Sequence, residues 1–264
     1  KEISNKCDFY NIFEEKMGEK YIDTVSWKLL VDFNDFLVQI DIANYESSLL
    51  EELLAKVVTR SKRRIAGQFS TPKELAYLLV GLALENKEGY TIDPCCGTGT
   101  IARAVYELKK FYSIKESEAI KQVWASDKFR YPLQMAMLAL STPENIGEKI
   151  NIFKHDVFEL LEGKEIILHN PENGEEIKEQ LPKFDTIVTN LPFVQQEDFK
   201  KLNSNAVSEI EKNLYEKYSE NIKIDGKSDL YAYIPFVVMD ILKDNGILGV
   251  IVSNSWLGTK WGDT

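Results

Sequence analysis

The sequence predicts an α/β fold in which helices cover both faces of a parallel β-sheet, preceded by a helical region. Two observations support this prediction. From about residue 66 onward, short apolar segments alternate with segments of helical periodicity, which is typical of a parallel sheet with helical crossovers. Residues 1–65 instead repeat apolar side chains at helical spacing. We therefore predict an N-terminal helical region at 1–65 and an α/β domain at 66–264.

The composition is that of a globular protein with a sizeable core. Hydrophobic residues make up 44% and charged residues 28% of the 264 residues, which are ordinary values for a folded domain. No apolar run reaches membrane-spanning length and no signal peptide opens the chain, so we expect a cytoplasmic protein without membrane contact. The three cysteines suggest neither a disulfide framework nor a zinc pattern. With only His155 and His169 present, we expect neither histidine-based catalysis nor a metal site.

The net charge of −10 argues against a basic surface overall but is compatible with a local phosphate-binding patch. Basic side chains cluster just before the α/β domain, at Lys56, Arg60, Lys62, Arg63 and Arg64, with Lys73 beyond them. Phosphate contact and a solvated helix end are equally good interpretations of this cluster.

The N-terminal region contains VSWKLLVDFNDFLVQI, which is predicted to form an amphipathic helix. Its apolar face comprises Val25, Leu29, Leu30, Phe33, Leu37 and Ile40. The α/β domain then opens with TPKELAYLLVGLAL, where Thr71, Pro72 and Glu74 have the spacing of a capping box with proline at the first helical position. One face of this second helix carries Leu75, Leu78, Leu79 and Leu82.

Five strands follow in the predicted sheet, separated by helices. The strands are YTID, VWASD, INIFKHD, FDTIVTN and GILGVIVSN, and the helices are IARAVYELKKF, PLQMAMLAL and the stretch through YIPFVVMDILK. The segment GKEIILHNPENGEEI has an Asn-Gly turn and is predicted to form an inserted hairpin. Residues 194–227 form a long charged connection, which is typical of a functional lid or a partly disordered segment.

Polar side chains end four of these predicted strands: Asp93, Asp127, Asp156 and Asn190. They recur at intervals of roughly 30 residues, about one strand-helix-strand unit. Because ligands bind at the carboxyl ends of the strands in open α/β sheets, we expect these four side chains to line one crevice. Any one of them alone would more often be a turn former or a helix cap.

The segment DPCCGTGT follows the first strand and leads directly into a helix. Gly97 and Gly99 would let the backbone approach a ligand closely, and the following helix N-terminus would favour the negative end of that ligand. A plain tight turn and the dinucleotide pattern G-x-G-x-x-A, with Ala102, remain alternatives on the glycines alone. The leading Asp93-Pro94 favours another interpretation, because it resembles the S-adenosylmethionine loop of class I methyltransferases.

The ordered motifs of the whole domain resemble those of N6-adenine DNA methyltransferases. They are GQFSTP, DPCCGTGT, the acid in WASD, HDVF, TNLPF, SDLY and GILGVIVSNSWL. Their order resembles the γ arrangement that type I modification subunits and fused restriction-modification enzymes share. The resemblance implies a Rossmann-like class I sheet, S-adenosylmethionine as cofactor and a prokaryotic or phage origin. It also implies specificity or restriction subunits, or fused domains, as partners, and a target-recognition domain beyond the 264 residues.

The resemblance also assigns roles to individual residues. Asp127 would bind the ribose hydroxyls, Asp156 and Phe158 would hold the adenine ring of the cofactor, and Thr71 would lie beside its carboxylate. The loop residues Asp93, Cys95, Gly97 and Gly99 would complete the cofactor site. Gln68 is a weaker assignment.

The segment TNLPF would contain the catalytic residues Asn190, Leu191, Pro192 and Phe193. The Asn190 side-chain oxygen and the Leu191 carbonyl could accept the two hydrogens of an adenine amino group, freeing its lone pair. Phe193 would stack on an adenine flipped out of the DNA.

Position 191 departs from the family, because most members have proline there. The carbonyl survives the change, and Leu191 still precedes Pro192, which keeps it out of the helical region. The departure is shared with some guanine-N2 methyltransferases of RNA, so an RNA substrate is one alternative. The other is a catalytically silent subunit that binds cofactor or DNA.

Overall fold

The computed structural model of the protein describes residues 23–39, 71–145, 147–171, 173–192, 212, 215–216 and 230–254. In chain order, its helices and strands are α1 (Thr24–Gln39), α2 (Lys73–Ala83), β1 (Thr91–Asp93), α3 (Thr100–Phe111), α4 (Glu116–Gln122), β2 (Val123–Asp127), α5 (Arg130–Leu140), β3 (Asn151–Lys154), β4 (Glu165–His169), β5 (Glu176–Gln180), β6 (Phe184–Asn190), α6 (Ile234–Val238) and β7 (Leu242–Ile251). Ile40, the basic residues at 56–64, Gln68 and Phe193 lie outside the described residues.

Among the described residues, the central sheet has five strands in the order β3-β2-β1-β6-β7, and all its neighbouring strands are parallel. Along the sequence, β2 and then β3 are added on one side of β1, and β6 is then added on the other side. The order therefore reverses between β1 and β6, and the crevice of an open α/β sheet lies at such a switch point. The predicted α/β fold and all five predicted sheet strands are confirmed.

The predicted hairpin is also confirmed. Strands β4 and β5 pair with each other in an antiparallel two-stranded sheet, separate from the central one. Leu168 is buried, whereas Ile167 on the other face of the same strand is 42% exposed. The hairpin therefore covers part of the molecule with one face only, as the strand period of two requires.

Two core clusters lie on opposite faces of the central sheet. Neighbouring strand residues alternate between them: Ala125 and Ile152 belong to one cluster, and Trp124 and Phe153 to the other. The helix-side core includes Ala76, Val80, Ala83, Ile101, Val105, Tyr106, Ile120, Leu133 and Leu140. The hairpin-side core includes Ile92, Leu160, Ile166, Leu168, Phe184, Ile187, Leu191, Ile234 and Val238. Both faces are therefore covered, as predicted for a parallel sheet.

Helix α2 differs from its prediction at its start and in its buried face. It begins at Lys73, preceded by Pro72, and no side chain caps it, so the predicted capping box is wrong. Leu75, Leu78 and Leu82 are exposed, and the buried residues are instead Ala76, Val80 and Ala83. The reason is close packing: a Cβ added at Gly249 of β7 would lie 3.0 Å from the Ala83 Cβ. Small side chains let the helix lie directly on the strand.

The boundaries around β7 also differ from the prediction. Helix α6 ends at Val238, and after a 3-10 turn the strand begins at Leu242, four residues earlier than expected. Leu242 pairs with Phe184, but Ile247 pairs with Thr186, so the residues between them form an irregularity with Asn245 at φ 61°. Helix α4 was not predicted at all.

Helix α1 is confirmed over Thr24–Gln39, and its apolar side chains Val25, Leu29, Leu30 and Phe33 are 50–71% exposed. In the part of the chain that the structure describes, no helix combines the length and apolar character needed to cross a membrane. Within the same ranges, no group of histidine, cysteine and acidic side chains is arranged to hold a metal ion.

Candidate active site

The three innermost strands place polar side chains at one edge of the sheet. Asp127, Asp93 and Asn190 are the last residues of β2, β1 and β6, which are neighbours in that order. Asp156 follows the next strand outward, but β3 ends at Lys154, two residues earlier than predicted. Asp156 instead caps a 3-10 turn at Val157–Glu159, accepting a hydrogen bond from the Phe158 backbone N–H at 3.2 Å. Parallel strands thus place all four side chains at the same edge.

The loop between β1 and α3 is tied to the end of β2 by hydrogen bonds. The Cys96 N–H donates to the Ser126 carbonyl at 2.9 Å, and the Gly97 N–H donates to Asp127 Oδ2 at 3.1 Å. Within the loop, the Cys95 N–H donates to Asp93 Oδ1 at 3.2 Å. Two of the three predicted carboxylates, Asp93 and Asp127, therefore hold the loop in place.

Both glycines of this loop have left-handed backbone conformations, but for different reasons. Gly99, at φ 89°, lies so close to α5 that an added Cβ would be 2.8 Å from the Ala136 Cα. Gly97, at φ 52°, has open space instead, because an added Cβ would meet nothing within 4 Å. Gly99 thus permits close packing against α5, whereas the space beside Gly97 is open.

Burial strongly affects the acids at the centre of the site. Asp93 is 2% exposed, and its burial raises its pKa to about 7, although the Thr189 hydroxyl and the Cys95 N–H oppose the rise. Burial also raises the pKa of Asp127, against the backbone N–H groups of Phe129 and Gly97. The negative charge of Asp127 raises the pKa of Asp93 further, and that of Asp156 raises the pKa of Asp127 further. A cationic ligand would relieve this electrostatic cost.

Asp156 carries an ion pair that the sequence did not indicate. Lys128 Nζ lies 2.9 Å from Asp156 Oδ2, while Oδ1 accepts from the Phe158 N–H. Both carboxylate oxygens thus have partners in the structure. Lys128 directly follows Asp127, but nothing in the sequence connects that lysine to Asp156.

Asn190 is oriented by one neighbour and has one atom without a partner. Its Nδ2 donates to Thr71 Oγ1 at 3.1 Å. Its Oδ1 is buried and has no hydrogen-bond partner among the residues that the structure describes. Because a buried acceptor without a partner is costly, it is typical of a position that binds a ligand.

The backbone at Leu191 is held by β7. The Leu191 N–H donates to the Ile251 carbonyl at 3.1 Å, and the Leu191 side chain is 1% exposed within the hairpin-side core. Pro192 follows it directly. Sequence reasoning missed the Ile251 partner, because a backbone contact between strands has no side-chain signal.

Comparison with known families identifies the family to which the chain belongs. A family model described as "N-6 DNA Methylase" matches residues 46–261, most of its length. The chain belongs to the N-6 DNA methylase family. The match confirms the family to which the ordered motifs point.

A curated relative supports this membership. The type II methyltransferase M.AccI of Acinetobacter calcoaceticus is 24% identical over 214 residues, which cover 81% of the chain. The match covers only 32% of the relative, so this N-6 DNA methylase chain spans about a third of the length of the relative.

Solved structures confirm the class I methyltransferase fold. The type IIG restriction endonuclease BpuSI matches with a TM-score of 0.57 and 18% identity, over 96% of this chain and 27% of its own. A Listeria monocytogenes protein described as a class I S-adenosylmethionine-dependent methyltransferase matches with a TM-score of 0.52 and 16% identity, over 99% of this chain and 72% of its own. At these identities the similarity concerns the fold.

The structure of this family member brings most of the predicted site residues to one edge of the sheet. They are Thr71, Asp93, Cys95, Gly97, Gly99, Asp127, Asp156, Phe158, Asn190, Leu191 and Pro192. Gln68 and Phe193 lie outside the described residues, so their placement stays a prediction. The residues that sequence reasoning missed, Lys128 and Ile251, both act as partners of predicted ones.

Proposed function

We propose that the protein binds S-adenosylmethionine at the switch point and transfers its methyl group to the N6 amino group of adenine in DNA. One observation carries this proposal: the buried Oδ1 of Asn190 has no partner among the described residues, beside a glycine loop and three acids. Family membership supports the reaction class.

The residues at the edge of the sheet fit the proposed cofactor. When bound, S-adenosylmethionine supplies an electrophilic methyl group on a positively charged sulfonium. Asp93, Asp127 and Asp156 provide negative charge for such a cation, and the space beside Gly97 is open. Asp127 would accept from the ribose hydroxyls, since a carboxylate oxygen that already accepts a backbone N–H can accept a further hydrogen bond. Cys95, Gly99 and Phe158 would complete the cofactor site.

Asp156 would have to exchange a partner when the cofactor binds. Its Oδ2 is paired with Lys128 at 2.9 Å, and the adenine amino group of the cofactor would compete for the carboxylate. Lys128 is about half exposed, so water can solvate its ammonium when the pair opens. Asp156 can therefore serve as the predicted adenine acceptor at small cost.

Asn190 and Leu191 would activate the target base. The lone pair of an adenine amino nitrogen is delocalised into the ring, so the nitrogen is a poor nucleophile. Asn190 Oδ1 and the Leu191 carbonyl would accept its two hydrogens, which favours the pyramidal nitrogen and frees the lone pair. Acceptors held in place before the reaction cost no reorganisation at the transition state. Pro192 would restrict the backbone of Leu191, and Phe193 would stack on the flipped base.

Replacing Asn190 tests this proposal. Asn190→Ala should lower the single-turnover rate of N6-methyladenine formation by about 100-fold to 1,000-fold, because it removes one of two preorganised acceptors. The measurement uses the intact protein, radiolabelled S-adenosylmethionine, DNA and RNA, followed by identification of the methylated base. Asn86→Ala is the matched control. Asn86 precedes β1 and donates to Asp185 near the start of β6, away from the carboxyl ends of the strands.

Three outcomes would contradict the proposal. N2-methylguanine in RNA without N6-methyladenine in DNA would show that the substrate is the alternative one. Equal activity of the wild type and Asn190→Ala would exclude Asn190 as a catalytic residue, and no methylation by the intact protein would favour a silent binding subunit.

We also propose that partners or fused domains supply sequence choice. The chain spans about a third of the curated relative. It also covers only 27% of the type IIG restriction endonuclease BpuSI and 29% of the Type ISP restriction-modification enzyme LlaGI, two proteins with similar folds. The 264 residues alone should therefore bind DNA weakly and without sequence preference. Selective nanomolar binding of one short sequence by this chain would contradict that expectation.

A further inference from the structure

We propose that Thr71 is a positioning residue that sets the orientation of the Asn190 side chain, and this inference rests on the proposed function. The contact joins Asn190 Nδ2 to Thr71 Oγ1 at 3.1 Å and spans 119 residues of sequence. Family resemblance points Thr71 toward the cofactor carboxylate, whereas the structure pairs it with the proposed catalytic amide.

The orientation of the Asn190 amide decides whether it can act on an amino group. The terminal torsion of asparagine has a broad, roughly twofold preference, so the oxygen and nitrogen can exchange places at little cost. If Nδ2 pointed into the crevice, Asn190 would present an N–H donor to the adenine amino group, which is itself a donor. Thr71 Oγ1 accepts from Nδ2 and thereby leaves Oδ1 buried without a partner among the described residues. That free acceptor is the atom the reaction requires.

The Thr71 hydroxyl is available for this contact because it does not cap α2. The helix begins at Lys73, the residue before it is Pro72, and no side chain caps its first turn. The first backbone bond of the helix runs from the Ala76 N–H to the Pro72 carbonyl at 3.0 Å. Thr71 therefore precedes the helix and faces β6 instead of the orphan N–H groups.

Helix α2 and β7 hold the two partners of this contact in a fixed relation. Ala76, Val80 and Ala83 fix α2 in the helix-side core, and Gly249 brings β7 directly beneath it. The same β7 accepts the Leu191 N–H through the Ile251 carbonyl. Thr71 and the backbone after Asn190 are thus anchored to the same strand, one through α2 and the other directly.

Thr71→Val and Thr71→Ser test the role of the hydroxyl. Valine has nearly the same shape without the hydroxyl, and serine keeps it. At saturating cofactor and DNA, Thr71→Val should lower the single-turnover methylation rate about 10-fold or more, the equivalent of one hydrogen bond. Thr71→Ser should restore most of it. Cofactor affinity, measured by calorimetric titration, should change less than about threefold in both variants.

Thr91→Val is the matched control. Thr91 begins β1, at the opposite end from the site, and its buried Oγ1 has no partner among the described residues. The control should leave the methylation rate unchanged. A loss of cofactor affinity in Thr71→Val with an unchanged rate would overturn the proposal and assign Thr71 to the cofactor instead.

A second measurement does not depend on activity and separates this inference from the proposed function. In the intact protein labelled with 15N at asparagine, without cofactor or DNA, the Asn190 side-chain signal is identified by its absence in Asn190→Ala. Its amide hydrogens should exchange with water at least about 10-fold faster in Thr71→Val than in the wild type. Thr71→Ser should resemble the wild type. Equal exchange in all three proteins would overturn the proposal, even if the protein methylates DNA.

If Thr71→Val does not fold, the wild-type protein still decides the question. Crosspeaks between the Asn190 side-chain amide hydrogens and the Thr71 side chain should be present in its nuclear Overhauser spectrum. Their absence would show that Nδ2 does not point toward Thr71, and the inference would be wrong.

Discussion

At position 191, a leucine places its side chain in the hairpin-side core and donates its backbone N–H to the Ile251 carbonyl at 3.1 Å. The proline that most family members have at this position has no N–H to donate. In this chain the hydrogen bond from Leu191 to Ile251 thus restricts the backbone at position 191, as a proline ring would. The carbonyl of Leu191, which the proposed reaction uses, is held from both sides of its residue, by this bond and by Pro192.

Restoring the proline should therefore weaken this protein. Leu191→Pro removes the hydrogen bond to Ile251 and part of a buried side chain, so it should lower the free energy of unfolding by about 1 to 3 kcal/mol. Leu191→Met, which retains the N–H and most of the buried volume, should cost less than about 1.5 kcal/mol. Urea unfolding of both variants checks the difference, and a Leu191→Pro protein as stable as wild type would show that the bond contributes nothing.

At the scale of elements, α2 packs closely on β7 beside the site. An added Cβ at Gly249 would lie 3.0 Å from the Ala83 Cβ and 3.2 Å from Leu79 Cδ1. Such distances are tighter than ordinary van der Waals contacts, so a larger side chain at position 249 requires Ala83 and Leu79 of α2 to give way. Because Thr71 lies just before α2, this packing also sets the distance between Thr71 and Asn190.

Gly249→Val should show both effects. Overpacking should lower the free energy of unfolding by about 1 to 3 kcal/mol, and the displaced helix should also slow methylation at saturating cofactor. Gly81→Ala is the control on the same helix, because its added Cβ would meet nothing within 4 Å. Alanine is favoured over glycine inside a helix, so the control should be more stable by about 0.5 to 1 kcal/mol. Urea unfolding midpoints measure both changes, and an equally stable Gly249→Val would contradict the close packing.

At the scale of the whole molecule, the buried acid Asp93 makes stability depend on pH. Burial raises its pKa from 3.8 to about 7. Between those values the unfolded chain releases the proton while the folded protein still holds it. The unfolded state then binds fewer protons, so the free energy of unfolding falls as the pH rises from about 4 to about 7, and this contribution is constant above that.

Asp93→Asn isolates this contribution, because asparagine does not titrate. The stability of the variant relative to wild type should increase by about 1 to 3 kcal/mol between pH 4 and pH 8. Urea unfolding of both proteins across this range gives the comparison, in the absence of cofactor. If the free energies of unfolding of the two proteins changed equally with pH, Asp93 would titrate in the folded protein as it does in the unfolded chain.

Much of this fold could be predicted from the sequence because the signals were local. Each sheet strand is a short apolar run, and each site acid lies at or just beyond the end of its run, so the four polar strand ends could be recognised without a structure. The buried face of α2 could be predicted only in part: of its four leucines Leu79 packs against the core, whereas alanines take the place of the other three. Packing distance to Gly249 decided that face, and a distance between elements has no local signal.

The partners within the site were unpredictable for a related reason. Thr71 and Asn190 are 119 residues apart, and Leu191 meets Ile251 through the backbone alone. The capping-box spacing at Thr71, Pro72 and Glu74 even indicated a competing local partner for the threonine hydroxyl. The helix begins at Lys73, one residue later than predicted, so Thr71 is not its cap and its hydroxyl pairs with Asn190.

The position of β7 at the edge of the sheet has a consequence for biosynthesis. A ribosome completes β1, its glycine loop and β6 well before it adds Ile251, the residue whose carbonyl holds Leu191. A nascent chain that ends before this point can form the inner strands, yet the backbone after Asn190 has no strand beside it. Parallel pairing between distant segments is also the slow part of folding. Competence for the proposed reaction is therefore acquired only after β7 has been synthesised and has paired with β6.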